Sequence, residues 1–124
     1  LNVESQELAR RVARLIWEKK GIDPVIMDLR QLTSITDFFV ICSVDSDPQA
    51  RAIMDHLAEQ LGTEAVRPWH VEGSTGSKWL LLDFVDVVVH IFRPEARNFY
   101  GLERLWGDAP IEEITEHSFS QQGS

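Results

Sequence analysis

The sequence is poor in residues that crosslink a chain or anchor it elsewhere. Cys42 is its only cysteine, so no internal disulfide can form and packing alone must hold the fold; a reducing, cytoplasmic setting is the expectation. No stretch approaches the roughly eighteen uninterrupted apolar residues that a membrane-spanning helix needs. The first segment mixes acids and bases too freely for a signal peptide, although residue 1 is Leu, and a leader upstream of it would move the expectation to an organellar stroma or matrix. Basic residues are also scarce: twelve Lys and Arg against twenty Asp and Glu give a net charge of -8. Such a field repels phosphate backbones and favours basic partners, so little direct nucleic-acid contact is expected.

Bulky apolar side chains are plentiful. An apolar content of 44%, with four Trp and six Phe in 124 residues, is enough for one core that buries roughly two thirds of the unfolded surface. Leu8, Val12, Leu15 and Ile16 recur at helical spacing and predict a helix from about Ser5 to Lys20, stopped by Gly21. Val25 to Leu29 and Phe38 to Cys42 read as strands. Asp47 as N-cap and Pro48 at the first helical position open a second helix, with Ala50, Ile53, Leu57 and Leu61 inward until Gly62.

A weaker strand is predicted around Val66 to Val71, followed by a flexible turn at Gly73-Ser74-Thr75-Gly76-Ser77. Trp79 to Leu82 and Val87 to Phe92 are uniformly apolar and predict central strands covered on both sides. Pro94 opens a third helix, closed by Gly107, with Phe99, Leu102 and Leu105 on its apolar stripe. The order α-β-β-α-β-β-β-α predicts an α/β fold: a single domain over residues 1–114, a five-stranded mixed sheet flanked by helices in two or three layers, and a disordered tail over 115–124.

Candidate chemistry is thin. Asp37, Asp83 and Asp86 fall at strand ends, where a metal-dependent nucleotidyltransferase would hold its ion. Asp83 and Asp86 are three residues apart, however, and so lie on opposite faces of a straight strand, which favours turn capping. In Gly73 to Lys78 the lysine is followed by Trp79 and a strand, unlike a phosphate loop, where a helix follows. His56, His70, His90 and His117 share no metal-ligand spacing with one another or with Cys42; His90 and Cys42 read as core residues. No catalytic residue, metal or cofactor is expected. What stands out is Trp79, Tyr100, Leu102 and Trp106 beside Glu103 and Arg104: aromatics flanked by charge, the usual material of a protein-binding hot spot.

The segments Asp37-Phe38-Phe39-Val40-Ile41, His70-Val71-Glu72-Gly73, Trp79-Leu80-Leu81-Leu82-Asp83, Val87-Val88-Val89-His90-Ile91-Phe92 and Tyr100-Gly101-Leu102-Glu103-Arg104-Leu105-Trp106 together resemble the ribosomal silencing factor, or Iojap-like, family, in order from about Val25 to Pro110. The resemblance implies a nucleotidyltransferase-like core without the catalytic arrangement. It also implies a homodimer when free, and a translational repressor that binds ribosomal protein fourteen of the large ribosomal subunit and hinders joining of the small subunit. Trp79, Tyr100, Leu102, Glu103, Arg104 and Trp106 would be the partner-binding residues. The competing readings are a metal-dependent nucleotidyltransferase-like enzyme and a generic dimeric adaptor. The sequence departs from the family's pattern at Val44, at Pro48 and at Val85, where glycine commonly follows the aromatic; local turn geometry is what these changes touch.

Overall fold

A computed structural model describes residues 3–120. Helix α1 (Val3–Glu18) is followed by β1 (Ile22–Asp28), β2 (Phe38–Ser43), α2 (Asp47–Gly62), β3 (His70–Glu72), β4 (Trp79–Asp83), β5 (Val87–Phe92), α3 (Pro94–Tyr100), α4 (Leu102–Leu105), β6 (Ile111–Glu113) and α5 (His117–Ser120). The sheet has six strands in the order β3-β4-β5-β2-β1-β6. Only β2 and β5 run parallel, with Val40 opposite Val89 and Ile41 opposite His90; every other neighbour is antiparallel. These two central strands are buried on nearly every residue, as parallel strands sandwiched between layers must be.

Alternation along the strands splits the core in two. Phe38, Val40 and Cys42 of β2, Val87, Val89 and Ile91 of β5, and Leu80 and Leu82 of β4 pack against α1 and α2. Their neighbours Ile41 and Phe92 face the other way and pack with Met27, Ala96, Leu102 and Ala109. Helix α1 presents Ala9, Val12, Ala13, Leu15 and Ile16, all essentially inaccessible to solvent. It ends at Glu18, and the chain turns back at Gly21, where a Cβ would run into the Ile16 side chain. Helix α2 buries Ala50, Ile53, Leu57 and Leu61, as its sequence spacing predicts.

Several expectations are corrected. The sheet gains a sixth strand, β6, which pairs Ile111 to Glu113 with Met27, Ile26 and Val25. Three residues of Ile-Glu-Glu carry no alternation, so only the free edge of β1 makes them a strand. The N-cap of α2 is Ser46, whose hydroxyl accepts the Gln49 N–H at 3.2 Å, and Asp47 occupies the first turn. The weak third strand shrinks to His70–Glu72, an exposed edge. The third helix is two helices, split by Gly101 in the left-handed region at φ 56°. Tail residues 115–120 are ordered as a turn and α5, because Phe119 is only 7% exposed and packs on Trp17 at 5.7 Å. Residues 121–124 of that expected tail lie outside the described residues.

The β4–β5 connection shows what the departure at Val85 does. Val85 has φ 77° and is spanned by a hydrogen bond from the Asp86 N–H to the Phe84 carbonyl at 3.0 Å, a three-residue turn of the strained hand. Asp83 Oδ1 steadies it by accepting the Val85 N–H at 2.7 Å, the turn-capping role expected of this carboxylate. A β-branched residue at positive φ costs about 1–3 kcal/mol, and glycine would recover that less about 0.5–1 kcal/mol of chain entropy. Val85→Gly is therefore expected to raise stability by about 1 kcal/mol, read as a higher denaturation midpoint with an unchanged denaturant slope. A lower midpoint would mean that the turn is not strained.

Candidate aromatic docking face

The second face of the sheet is covered unequally, and the reason is helix length. Helices α1 and α2, of 16 residues each, close the first face, whereas α3 and α4 have 7 and 4 residues. Strand β4, expected to be covered on both sides, is so only on the first: Leu80 and Leu82 are buried, while Trp79, Leu81 and Asp83 are half-buried.

Across this open region runs a row of rings. Trp106 meets Phe39 edge-on at 6.2 Å, and Phe39 meets His90 edge-on at 4.5 Å. His90 lies 5.8 Å from Trp79. Trp79 lies 4.9 Å from Phe92 and 4.6 Å from Tyr100, and Tyr100 meets Phe99 edge-on at 5.1 Å. Contacts of this kind are each worth about 0.5–1.5 kcal/mol beyond burial, so the row is a stiff surface.

The six residues singled out in the sequence fall into three layers of that surface. Tyr100 is 50% exposed, and Arg104 is exposed. Trp79, Glu103 and Trp106 are half-buried, and Leu102 is buried beneath them. Sequence spacing turned Phe99 and Leu105 inward; the break at Gly101 instead leaves them 77% and 72% exposed and gives Leu102 the inward position. Phe39 and His90 were missed as members of the face. Their signal was strand alternation: Phe39 and Ile41 on β2, and His90 and Phe92 on β5, share the face opposite α1.

Polar side chains fix this surface from below. Glu103 is not a free acid, since Arg97 grips both its oxygens, at 3.3 and 3.0 Å. Arg97 also donates to the Ile22 carbonyl and to Ser43 Oγ at 3.3 and 3.1 Å, with only 12% of its side chain accessible. This latch ties α3 and α4 to the ends of β1 and β2. Removing one partner would strand the other, a larger cost than losing a surface ion pair. Arg104 bonds the Asn98 carbonyl at 2.8 Å across the same glycine.

The remaining candidate groups do not converge. Asp37 accepts from Ser5 Oγ at 2.8 Å, Asp83 is committed to its turn, and among the described residues no group of three His, Cys, Asp or Glu side chains is placed to hold a metal ion. His56 pairs with Glu18 at 2.8 Å and His70 with Glu72 at 2.9 Å. Cys42 is fully buried and burial pushes its thiol up to about 12, so the thiolate that could act as a nucleophile is suppressed. Gly73 to Ser77 closes the β3–β4 hairpin, with the Ser77 N–H on the Ser74 carbonyl at 2.8 Å.

His90 is 3% exposed, as expected of a core histidine, and burial pulls its pKa down to about 4. It is therefore neutral in the folded protein, whereas in the unfolded chain it titrates near 6.5. Between those values only the unfolded chain takes up the proton, so this contribution to stability is complete above about pH 6.5 and is lost as pH falls towards 4. The loss is steepest at about 1.4 kcal/mol per pH unit. Denaturation midpoints of the parent and of His90→Leu, measured from pH 7 to 4, should move apart on acidification, the parent losing stability that the variant keeps. A constant difference would show that His90 is not held neutral.

Residues 2–124 match the family described as ribosomal silencing factor during starvation. The ribosomal silencing factor of Halalkalibacterium halodurans is 35% identical over 112 residues, spanning 90% of this chain and 96% of that protein. The chloroplastic Iojap protein of Zea mays is 36% identical over 112 residues, 90% of this chain but 49% of that protein. Among solved structures, a crystal structure of a Chromobacterium violaceum protein superposes with a TM-score of 0.77 at 28% identity, covering 96% of this chain and 98% of that one. The match over nearly the whole chain, in sequence and in fold, places this protein in the ribosomal silencing factor family.

Proposed function

We propose that this protein is a translational repressor that docks on the large ribosomal subunit through the aromatic face, engages ribosomal protein fourteen there, and obstructs joining of the small subunit. The observation that carries the reading is the ridge at the end of that face: Phe99, Tyr100 and Leu105 are each at least half exposed, on a scaffold stiffened by ring contacts and by the Arg97–Glu103 latch. Large exposed apolar side chains gathered beside half-buried aromatics mark a protein-binding surface. A chain of net charge -8 is drawn to a basic ribosomal protein and repelled by the surrounding RNA. Obstruction needs tight docking and no turnover, so the function is regulatory and not enzymatic, and Trp79, Tyr100, Leu102, Glu103, Arg104 and Trp106 serve it as contact or support.

Tyr100→Ala is the direct test, because its ring is at the surface and its loss spares the core. Binding of purified large subunits by this variant, with a melting temperature matching the parent, should weaken by about thirtyfold, the effect of losing about 2 kcal/mol at a hot spot. Undiminished binding and undiminished inhibition of subunit joining would refute this site.

The same ridge supports a homodimer in the free protein, since Phe99 and Leu105 would gain cover from a second copy. Sedimentation at tens of micromolar, on the order of a weak interface's dissociation constant, should give the dimer mass for the parent and the monomer mass for Phe99→Asp. A parent that stays monomeric would refute the dimer.

A further inference from the structure

His90 is an anomaly in its strand. Its neighbours Val87, Val88, Val89, Ile91 and Phe92 are all apolar, and a leucine would fill the same place without a polar atom. Only two buried side-chain polar atoms among the described residues lack a hydrogen-bond partner, Thr36 Oγ1 and His90 Nε2. The other ring nitrogen, Nδ1, is engaged: it lies 3.1 Å from Trp79 Nε1. An indole nitrogen only donates, so Nδ1 must be the acceptor. In a neutral imidazole that leaves the proton on Nε2, the atom without a partner. The chain thus keeps an unpaired buried donor at a position where an apolar residue would be more stable, and what it gains is one oriented acceptor under Trp79. Sites that break a local rule at a cost in stability are where function is expected.

We propose that His90 is the positioning residue of the docking face: its Nδ1 holds the Trp79 indole in the pose that supports Tyr100 and presents the row of rings to the partner. This inference rests on the docking reading above. Trp79 follows the Gly73–Ser77 turn at the start of β4, has Phe92 and Tyr100 against its ring, and gives its one indole N–H to His90. Ring contacts alone tolerate sliding and rotation of an indole. A single hydrogen bond from its N–H to a buried acceptor does not, because both the length and the direction of that bond are constrained. His90 itself is pinned between Phe39 and Phe92, so the pose is transmitted from the sheet's centre to its surface.

The test separates positioning from packing. Nitrogen-15 spectra of the parent should show His90 in the Nε2–H tautomer, and the Trp79 indole N–H, assigned with Trp79→Phe, should exchange slowly. His90→Leu should melt at or above the parent temperature, yet its indole N–H should shift and exchange faster, and large-subunit binding should weaken by about tenfold or more. His90→Asn restores an acceptor at the δ position and should recover the slow exchange and most of the binding; His90→Met replaces the leucine variant should the latter not fold. A proton on Nδ1, an indole signal unmoved in the apolar variant, or parent-like binding by that variant while Tyr100→Ala is impaired would overturn the proposal and leave the docking site standing. Parent-like binding by both Tyr100→Ala and Trp79→Leu would instead remove the docking reading and His90's role with it, whatever the indole shows.

Discussion

The parallel pairing of β2 with β5 is the constraint from which the architecture follows. Parallel neighbours cannot be joined by a tight turn and need a crossover, so the chain between Ser43 and Val87 has to leave the sheet and return. Helix α2 makes that crossover and, with α1, seals one face. The rest of the crossover is the β3–β4 hairpin, which widens the sheet beyond β5. A sheet widened in this way has more second face than two short helices can cover. The half-buried rings on that face are thus a product of topology.

What keeps the uncovered region from collapsing or splaying is a small set of polar devices of unequal strength. Each ring contact contributes about 0.5–1.5 kcal/mol and is weakly directional. The Arg97–Glu103 latch, with its additional bonds to Ile22 and Ser43, is directional and nearly dry, and it fixes where α3 and α4 sit. The Trp79–His90 bond fixes one ring within the row at the expense of an unpaired Nε2, a deficit of about 1–3 kcal/mol. That deficit and the strained turn at Val85 are two places where this fold gives up stability. Their physical meaning differs, since Val85 lies at the far end of β4 from the rings.

The difference between the expected and the observed final helix is instructive. Read at helical spacing, Phe99, Leu102 and Leu105 make one stripe three residues apart, which fits a single helix through to Trp106. One left-handed residue, Gly101, rotates everything after it, so Leu102 reaches the core while Phe99 and Leu105 do not. Glycine is compatible with a helix interior and with a left-handed cap, and periodicity cannot choose between them. Strand β6 was invisible for a related reason: three residues hold no period, and only the open edge of β1 gives them a partner. Phe119 shows the opposite limit, a single aromatic in a polar segment that orders α5 because Trp17 happens to lie within reach.

Helices α1 and α2, strands β1, β2, β4 and β5, the burial of Cys42 and His90, and the family were legible in the sequence, because long periodic segments and a run of ordered motifs are local properties of the chain. The cluster around Trp79, Tyr100 and Trp106 stood out there as candidate material for a protein-binding surface. Packing in three dimensions settled which members of that cluster face solvent, that Glu103 belongs to Arg97, and that Phe39 and His90 complete the row of rings. Those outcomes depend on which strands become neighbours and on the rotation imposed by one glycine, and contacts between residues tens of positions apart leave no period in the sequence.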